Sequence, residues 1–397
     1  MFTLPGEVNF ILKKLNEHGY EAYIVGGCVR DFLLGKTPKD YDITTAAPPA
    51  EVKKIFPHTF DTGIKHGTVT AIVGKRPFEI TTYRIDGKYK DHRHPESVVF
   101  TPDIEKDLMR RDFTMNAIAY HPKFGFADPY SGKKDIDEKI IRGVGNPAAR
   151  FDEDALRVLR ALRFSAVLGF DIEPETFLAV YEKAHLIKNI SRERVRDELM
   201  KLISGSFPEK LPLLWETPLL CSIDPELCRD VSENKSIVDE IKAAKGSGLI
   251  PALLFFGSYK GNLKELLKGF RFDNKTISLL ISANSILTKQ PDFSVFGIKK
   301  LIYENGKDAV FLALGTAGAK GMENAAKALS LYSDIIRRGE AVSLKDLKIS
   351  GRDIIEAGVP EGERVKEALE SILFEVFRDP SLNERDILKN MAKEYLR

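Results

Sequence analysis

Asp40-Tyr41-Asp42 sets two carboxylates one residue apart, directly ahead of the apolar Ile43. Alternate side chains of an extended strand point the same way, so both acids share a face. Carboxylates that close repel unless a cation lies between them, and an oxygen-only pair with positions left open for phosphate oxygens suits Mg2+ better than zinc. Taken alone, such a pair is more often a helix N-cap or a solvated turn. Upstream, across residues 28–39, Gly26-Gly27 ends the apolar run Tyr23-Ile24-Val25 and opens an apparent helix. Without Cβ atoms in the way, backbone N–H groups there can approach an anion, and Arg30 adds a fixed charge. An isolated Gly-Gly is also simply a tight turn. The combination of turn, spacing and acidic pair is what points to a phosphate site facing a metal site. Glu79, in "PFEITTYR", is a candidate third acid, with an ordinary surface position on a strand as the alternative.

Two further clusters carry chemistry. "LMRRDFTMNAIAY" places Arg110, Arg111, Asp112 and Asn116 at the start of an expected helix, where they suit ribose hydroxyls and phosphates; solvated arginines are the plainer account. "RFDEDALRVLRALRFSAVLGF" supplies Glu153, Asp154 and Arg157. The last two, spaced i,i+3, are expected on one helix face while Leu156, Leu159 and Leu162 face a core, and an intrahelical salt bridge is the alternative use of the pair.

The Gly-Gly and Asp-x-Asp layout resembles the nucleotidyltransferase superfamily. With "GIKHGTV" (63–69) and "DGKYKDHRHPESV" (86–98), the set closely resembles the bacterial class II tRNA nucleotidyltransferases, the CCA-adding enzymes, in order through about residues 20–205 and more weakly in the tail. The resemblance implies an α+β fold: an N-terminal mixed-sheet nucleotidyltransferase head, then an all-helical neck, body and tail. The expected bounds are 1–140, 141–205, 206–270 and 271–397. It implies template-independent addition of C, C and A to tRNA from CTP and ATP by two-metal in-line transfer, with Mg2+ on Asp40 and Asp42. Gly26, Gly27, Arg30, Arg111, Asp112, Asn116, Asp154, Arg157, Arg160 and Arg163 are the implied nucleotide-binding residues. Asp86, Gly87, Tyr89, Asp91, Arg93 and Pro95 are implied for a movable specificity loop acting as a lever on the neck. Asp154 would accept from the amine of cytosine or adenine while Arg157 donates to the neighbouring ring nitrogen. Uracil and guanine reverse that pattern and would leave buried groups unpaired.

The elements that must position these residues are legible in outline. Residues 1 to about 140 mix β-rich runs ("EAYIVGG", "GTVTAIVG", "PFEITTYRI", "SVVF") with helical patterns near 8–18, 28–35, 49–56 and 103–119. From about Arg142 strand signals nearly vanish and helical periods take over. A chain of 397 residues implies two or more domains, and a net charge of +2 gives no global polyanion signal. The interval 260–300 does carry a local basic excess, in which Lys260, Lys264 and Lys268 step by four. They are candidates for tracking tRNA phosphates, with a solvated helix face as the competing account. Cys28, Cys221 and Cys228 show no CxxC spacing, which argues against a disulfide framework or a zinc site and suits a reducing cytosol. The first twenty residues read as a helix rather than a signal peptide, and no run approaches a membrane span, so the protein is expected to be cytoplasmic, a monomer or homodimer.

Rival readings separate on particular segments. Bacterial poly(A) polymerases typically carry an arginine-rich segment where this chain has "GIKHGTV". CC-adding relatives lack the loop that "DGKYKDHRHP" resembles, whereas A-adding enzymes keep it, so an A-adding enzyme stays an alternative. A silent tRNA-binding scaffold would not need both aspartates. The last histidine is His185, so no phosphohydrolase metal site is expected in the helical half.

Overall fold

The computed structural model describes residues 2–87, 97–244, 248–289 and 291–394. It divides into two compact units, Met1–Cys228 and Arg229–Arg397. In the first, the strands up to residue 130 are β1 (Ala22–Val25), β2 (Ile43–Thr45), β3 (Thr59–Gly63), β4 (Thr68–Val73), β5 (Arg76–Thr82), β6 (Arg84–Asp86), β7 (Val98–Phe100), β8 (Ala119–His121) and β9 (Gly125–Ala127). Seven form one mixed sheet in the order β3-β4-β5-β2-β1-β8-β9, in which only β2 and β5 run parallel. β6 and β7 make a separate antiparallel ribbon. Central position explains the unbroken apolar run of β1, all four of whose residues are buried.

Helices α1 (Gly6–Glu17), α2 (Gly27–Leu33) and α3 (Pro49–Ile55) fall where periodicity places them. In α1, Val8, Ile11, Leu12 and Leu15 recur at helical spacing and are all buried. The expected helix over 103–119 is different. α4 (Ile104–Met109) stops at Arg110, Phe113 is extended, residues 114–116 make one 3₁₀ turn, and the chain enters β8. Past that helix end, Asp112 takes the Phe113 N–H on its own side chain at 2.8 Å, a local bond that competes with continued helix. β8 escaped notice because all three of its residues are buried, which leaves no alternation to read.

Beyond α5 (Gly132–Asp137) come α6 (Pro147–Glu153), α7 (Leu156–Leu168), α8 (Pro174–Lys183) and α9 (Arg192–Ile203), with only the two-residue strands Ile140–Ile141 and Asp171–Ile172 between them. Helices also make up the second unit, around a core that includes Ile354, Leu373, Phe377 and Leu388. One expectation is corrected: Cys221 and Cys228 are joined in a disulfide, their Cα atoms 5.0 Å apart. Asp224 reverses the chain between the two cysteines by capping Leu227 N–H with its side chain, which brings the pair together without CxxC spacing.

Candidate active site

β1 delivers the chain to Gly26, whose φ of 78° lies in the left-handed region. A Cβ there would sit 2.8 Å from Arg111 Nη1, so this glycine is required both by its backbone and by the guanidinium packed against it. Gly27 begins α2. Arg30, on α2, donates to Asn116 Oδ1 at 2.7 Å and pairs with Asp31, and so ties the turn to the segment after α4. Cys28, buried beneath the turn, has its thiol pushed up to about 11 by burial and by Asp42, and stays protonated.

Asp40 and Asp42 precede β2 in extended chain, with Tyr41 buried and both acids exposed, the alternation the sequence predicts. Val25 N–H donates to Asp42 O at 3.0 Å, fixing the pair beside the Gly26 turn. The protein around it pushes the Asp42 carboxyl above the usual carboxylate range; Arg111 opposes that push and Asp40 adds to it. Two outward carboxylates this close in sequence are a donor set that fits a divalent cation. Both line a cavity of about 520 Å3 with Glu79, Thr62, Thr70, Lys39 and Arg76. Glu79 faces Thr70 across β4 and β5. Among the described residues no three His, Cys, Asp or Glu side chains converge as one metal set.

Behind this edge lies a hub that sequence reading missed. Asp107, fully buried, accepts from Arg84 N–H at 3.2 Å and Arg110 Nε at 3.0 Å, and Arg111 lies 3.7 Å away. Its signal was its position, three and four residues before the two arginines. Burial lowers the pKa of Arg111, with Asp107 and Asp42 opposing that effect. Asp86 pairs with Arg84 at 3.0 Å and lies 3.8 Å from Arg110. Gly87 closes the β6–β7 ribbon through Ser97 O at 2.8 Å. Tyr89, Asp91, Arg93 and Pro95 lie outside the described residues.

The helical side is a paired network. Asp112 accepts from Asn116 at 3.1 Å and from Arg160 Nε at 2.8 Å. Burial alone would raise its carboxyl, but the Arg160 charge and these hydrogen bonds hold it well below the usual range. Glu198 on α9 pairs with Arg163 at 2.6 Å and reaches Arg160 at 4.0 Å. Arg30, Arg160 and Arg163 stand 5.1, 5.3 and 3.5 Å from the ring centre of Phe164. Neither Glu198 nor Phe164 was anticipated, although a glutamate among the buried Val195, Leu199 and Leu202 on one helix face is a readable anomaly.

Asp154 and Arg157 are not on one helix. Asp154 ends α6 with extended backbone and α7 starts at Leu156, so the i,i+3 bridge is replaced by other partners. Asp154 is held by Arg194 at 3.0 Å and by the Leu156 N–H at 3.1 Å. Arg157, only 8% exposed, donates to Glu153 at 2.9 Å, Arg150 O at 3.1 Å and Arg110 O at 2.8 Å. Arg194, forty residues away in sequence, carries no local signal that marks it as the partner of Asp154.

In the second unit, Lys260 precedes the helix Leu263–Gly269 and pairs with Glu233, so the three lysines do not form one helical stripe. Lys264 and Lys268 share that helix, Lys268 pairing with Glu265 at 3.0 Å. Lys299, counted in the basic excess, is fully buried against Glu340 and Phe377 O.

Comparison with known proteins bears directly on this geometry. Residues 22–142 match the Poly A polymerase head domain, 169–230 the probable RNA and SrmB-binding site of polymerase A, and 246–392 the putative domain 2 of tRNA nucleotidyltransferase. The chain is 37% identical over 386 residues to a CCA-adding enzyme of Geobacillus thermodenitrificans, covering 95% of this chain and 93% of that one. The chain belongs to the CCA-adding enzyme family. Another relative, the CCA-adding enzyme of Ligilactobacillus salivarius, is 37% identical across 97% of this chain and 95% of its own length. The crystal structure of the Bacillus stearothermophilus CCA-adding enzyme in complex with CTP superposes with a TM-score of 0.87 at 33% identity, covering 98% of this chain and 97% of that one. The fold, a mixed-sheet head leading into helices, is that of CCA-adding enzymes. No helix among the described residues is long and apolar enough to cross a membrane.

Proposed function

We infer that this CCA-adding enzyme completes tRNA 3′ ends by adding C, C and A from CTP and ATP without a nucleic-acid template, releasing pyrophosphate. The observation that carries the reading is the outward Asp40 and Asp42 pair fixed beside the Gly26 turn, in a chain matched over nearly its full length by CCA-adding enzymes. Asp40 and Asp42 would hold the divalent cation, Mg2+ by the chemistry of their oxygens, and one or two such ions in place supply activation of the 3′-hydroxyl and neutralise charge on the leaving group. The Gly26-Gly27 turn and Arg30 orient the triphosphate so that the 3′-oxygen bonds to the α-phosphorus as the bond to pyrophosphate breaks in line.

Base choice falls to Asp154 and Arg157. Three bonds to protein leave Arg157 two of its five N–H donors, and three contacts leave Asp154 about one acceptor position, enough for the edge they share in C and A. Because protein contacts hold both side chains as a unit, neither has to be ordered separately before it meets the base. The segment 88–96 between β6 and β7 is proposed as the lever that adjusts this pair as the primer grows. Glu79, on the cavity wall, is proposed to act near the attacking end, and Lys264 and Lys268 to track tRNA phosphates. Purified protein offered tRNAs ending before CCA, after C and after CC, each with one labelled NTP, should add C, C and A respectively. Incorporation of A alone would make it an A-adding enzyme.

A further inference from the structure

The cavity beside Asp40 and Asp42 contains two cations that the nucleotide-binding residues leave unexplained. Around the Gly26 turn and the helices every functional arginine is already paired: Arg30 with Asp31, Arg111 with Asp107, Arg157 with Glu153, and Arg160 and Arg163 with Asp112 and Glu198. Lys39 and Arg76 differ. Both are exposed, both line the cavity, and among the described residues neither has a carboxylate partner. Arg76 is held instead by its backbone and by an aromatic ring. Gly74 and Lys75, at φ of 57° and 67°, form the two-residue turn between β4 and β5, Arg76 pairs across it with Val73, and its guanidinium lies 5.8 Å from the ring centre of Phe78.

The cavity's place on the acidic pair decides what it takes. Gly26, Arg30, Arg111 and Asp112 are not part of its wall. With the Gly26 turn assigned to the incoming nucleotide in the reading above, the cavity is the remaining approach to Asp40 and Asp42. In-line transfer needs the attacking hydroxyl to arrive opposite the leaving pyrophosphate. About 520 Å3 is within the range that takes a nucleotide-sized group. Thr62 and Thr70, whose hydroxyls lie 2.8 Å apart, offer ribose partners in the same wall.

We propose that this cavity seats the 3′-terminal nucleotide of the RNA primer, with Arg76 and Lys39 gripping its phosphodiester so that its hydroxyl faces the acidic pair. The inference rests on the nucleotidyl-transfer reading above. Unpaired cations fit this occupant because a phosphodiester brings its own negative charge, and a pre-existing carboxylate partner would compete with it.

The test is steady-state kinetics of A addition to tRNA ending in CC by Arg76→Ala, Lys39→Ala and the conservative Arg76→Lys. Arg76→Ala should raise the KM for tRNA about tenfold, the loss of one charge-assisted hydrogen bond, with the KM for ATP within about twofold. The slope of log kcat/KM for tRNA against log salt should shrink by about 0.7, as expected for one lost contact to a single strand, and Arg76→Lys should restore it. A structural role would move neither the salt slope nor its rescue. Pyrophosphorolysis separates the other occupant: a raised KM for pyrophosphate in Arg76→Ala, with the KM for tRNA unchanged, would overturn the proposal in favour of a leaving-group site. An unchanged KM for tRNA in both alanine variants, beside an active wild type, overturns it alone. A wild type that extends no tRNA overturns the functional reading and this inference together.

Discussion

The cavity around Asp40 and the junction of α6, α7 and α9 belong to the same unit, yet they treat charge in opposite ways. At the cavity, Asp40 and Asp42 are exposed, and among the described residues Lys39 and Arg76 have no carboxylate partner. At the junction, Asp112, Glu153, Asp154 and Glu198 each hold an arginine. The difference fits the roles proposed for the two regions. A place where ions and phosphates come and go keeps its charges uncommitted, because each arriving group supplies the missing partner. A place that must distinguish base edges fixes its charges in advance, because a mobile donor would accommodate the wrong base.

The largest expected effect breaks the open side. Asp42→Ala should lower turnover for both CMP and AMP by about 10³-fold or more, the loss of several kcal/mol of transition-state stabilisation, while tRNA binding stays within about twofold. Near-normal turnover in Mg2+ would remove the acidic pair from the chemistry. Stability sharpens the contrast next. Glu198→Ala removes the carboxylate partner of the half-buried Arg163, Arg160 keeping Asp112, and should cost about 1–3 kcal/mol in urea unfolding, whereas Asp40→Asn relieves repulsion and should stay within about 0.5 kcal/mol of wild type. Equal losses in both variants would erase the distinction.

Arg157→Ala should raise UMP or GMP misincorporation. Its stability cost is expected at about 1.5–3 kcal/mol, because three acceptors lose their donor. Unchanged nucleotide choice in a folded variant would reduce Arg157 to a strut. Acid titration probes the same network: the depressed Asp112 carboxyl contributes stability above its unfolded value of about 3.9 and loses it as pH falls toward the lower folded value. Urea midpoints of Asp112→Asn should therefore fall less steeply than those of wild type below about pH 4. The smallest effect belongs to the second unit. Lys264→Glu with Lys268→Glu should raise the KM for tRNA about two- to threefold and leave that for ATP unchanged, since exposed phosphate contacts are weak singly and screened by salt. Equal shifts in both would mark an ordinary solvated face.

The sequence alone determined whatever depends on neighbours in the chain. The Asp40-Tyr41-Asp42 alternation follows from strand geometry, α1 from its apolar period, and the Gly26 turn from the two glycines after an apolar run. The resemblance added the family and most of the nucleotide-side residues. Tertiary structure alone decided which charges meet. Asp154 and Arg157, three residues apart, are split by a helix break and each takes another partner, Arg194 lying forty residues from Asp154. It also decided that Asp112 lies past a helix end rather than at a helix start, that Lys299 is core rather than RNA surface, and that Cys221 meets Cys228. The physical reason is common to these cases. Propensity and period are local averages over a few residues, whereas a buried charge goes where folding brings its counter-charge, and the free energy of leaving it unpaired outweighs any local preference.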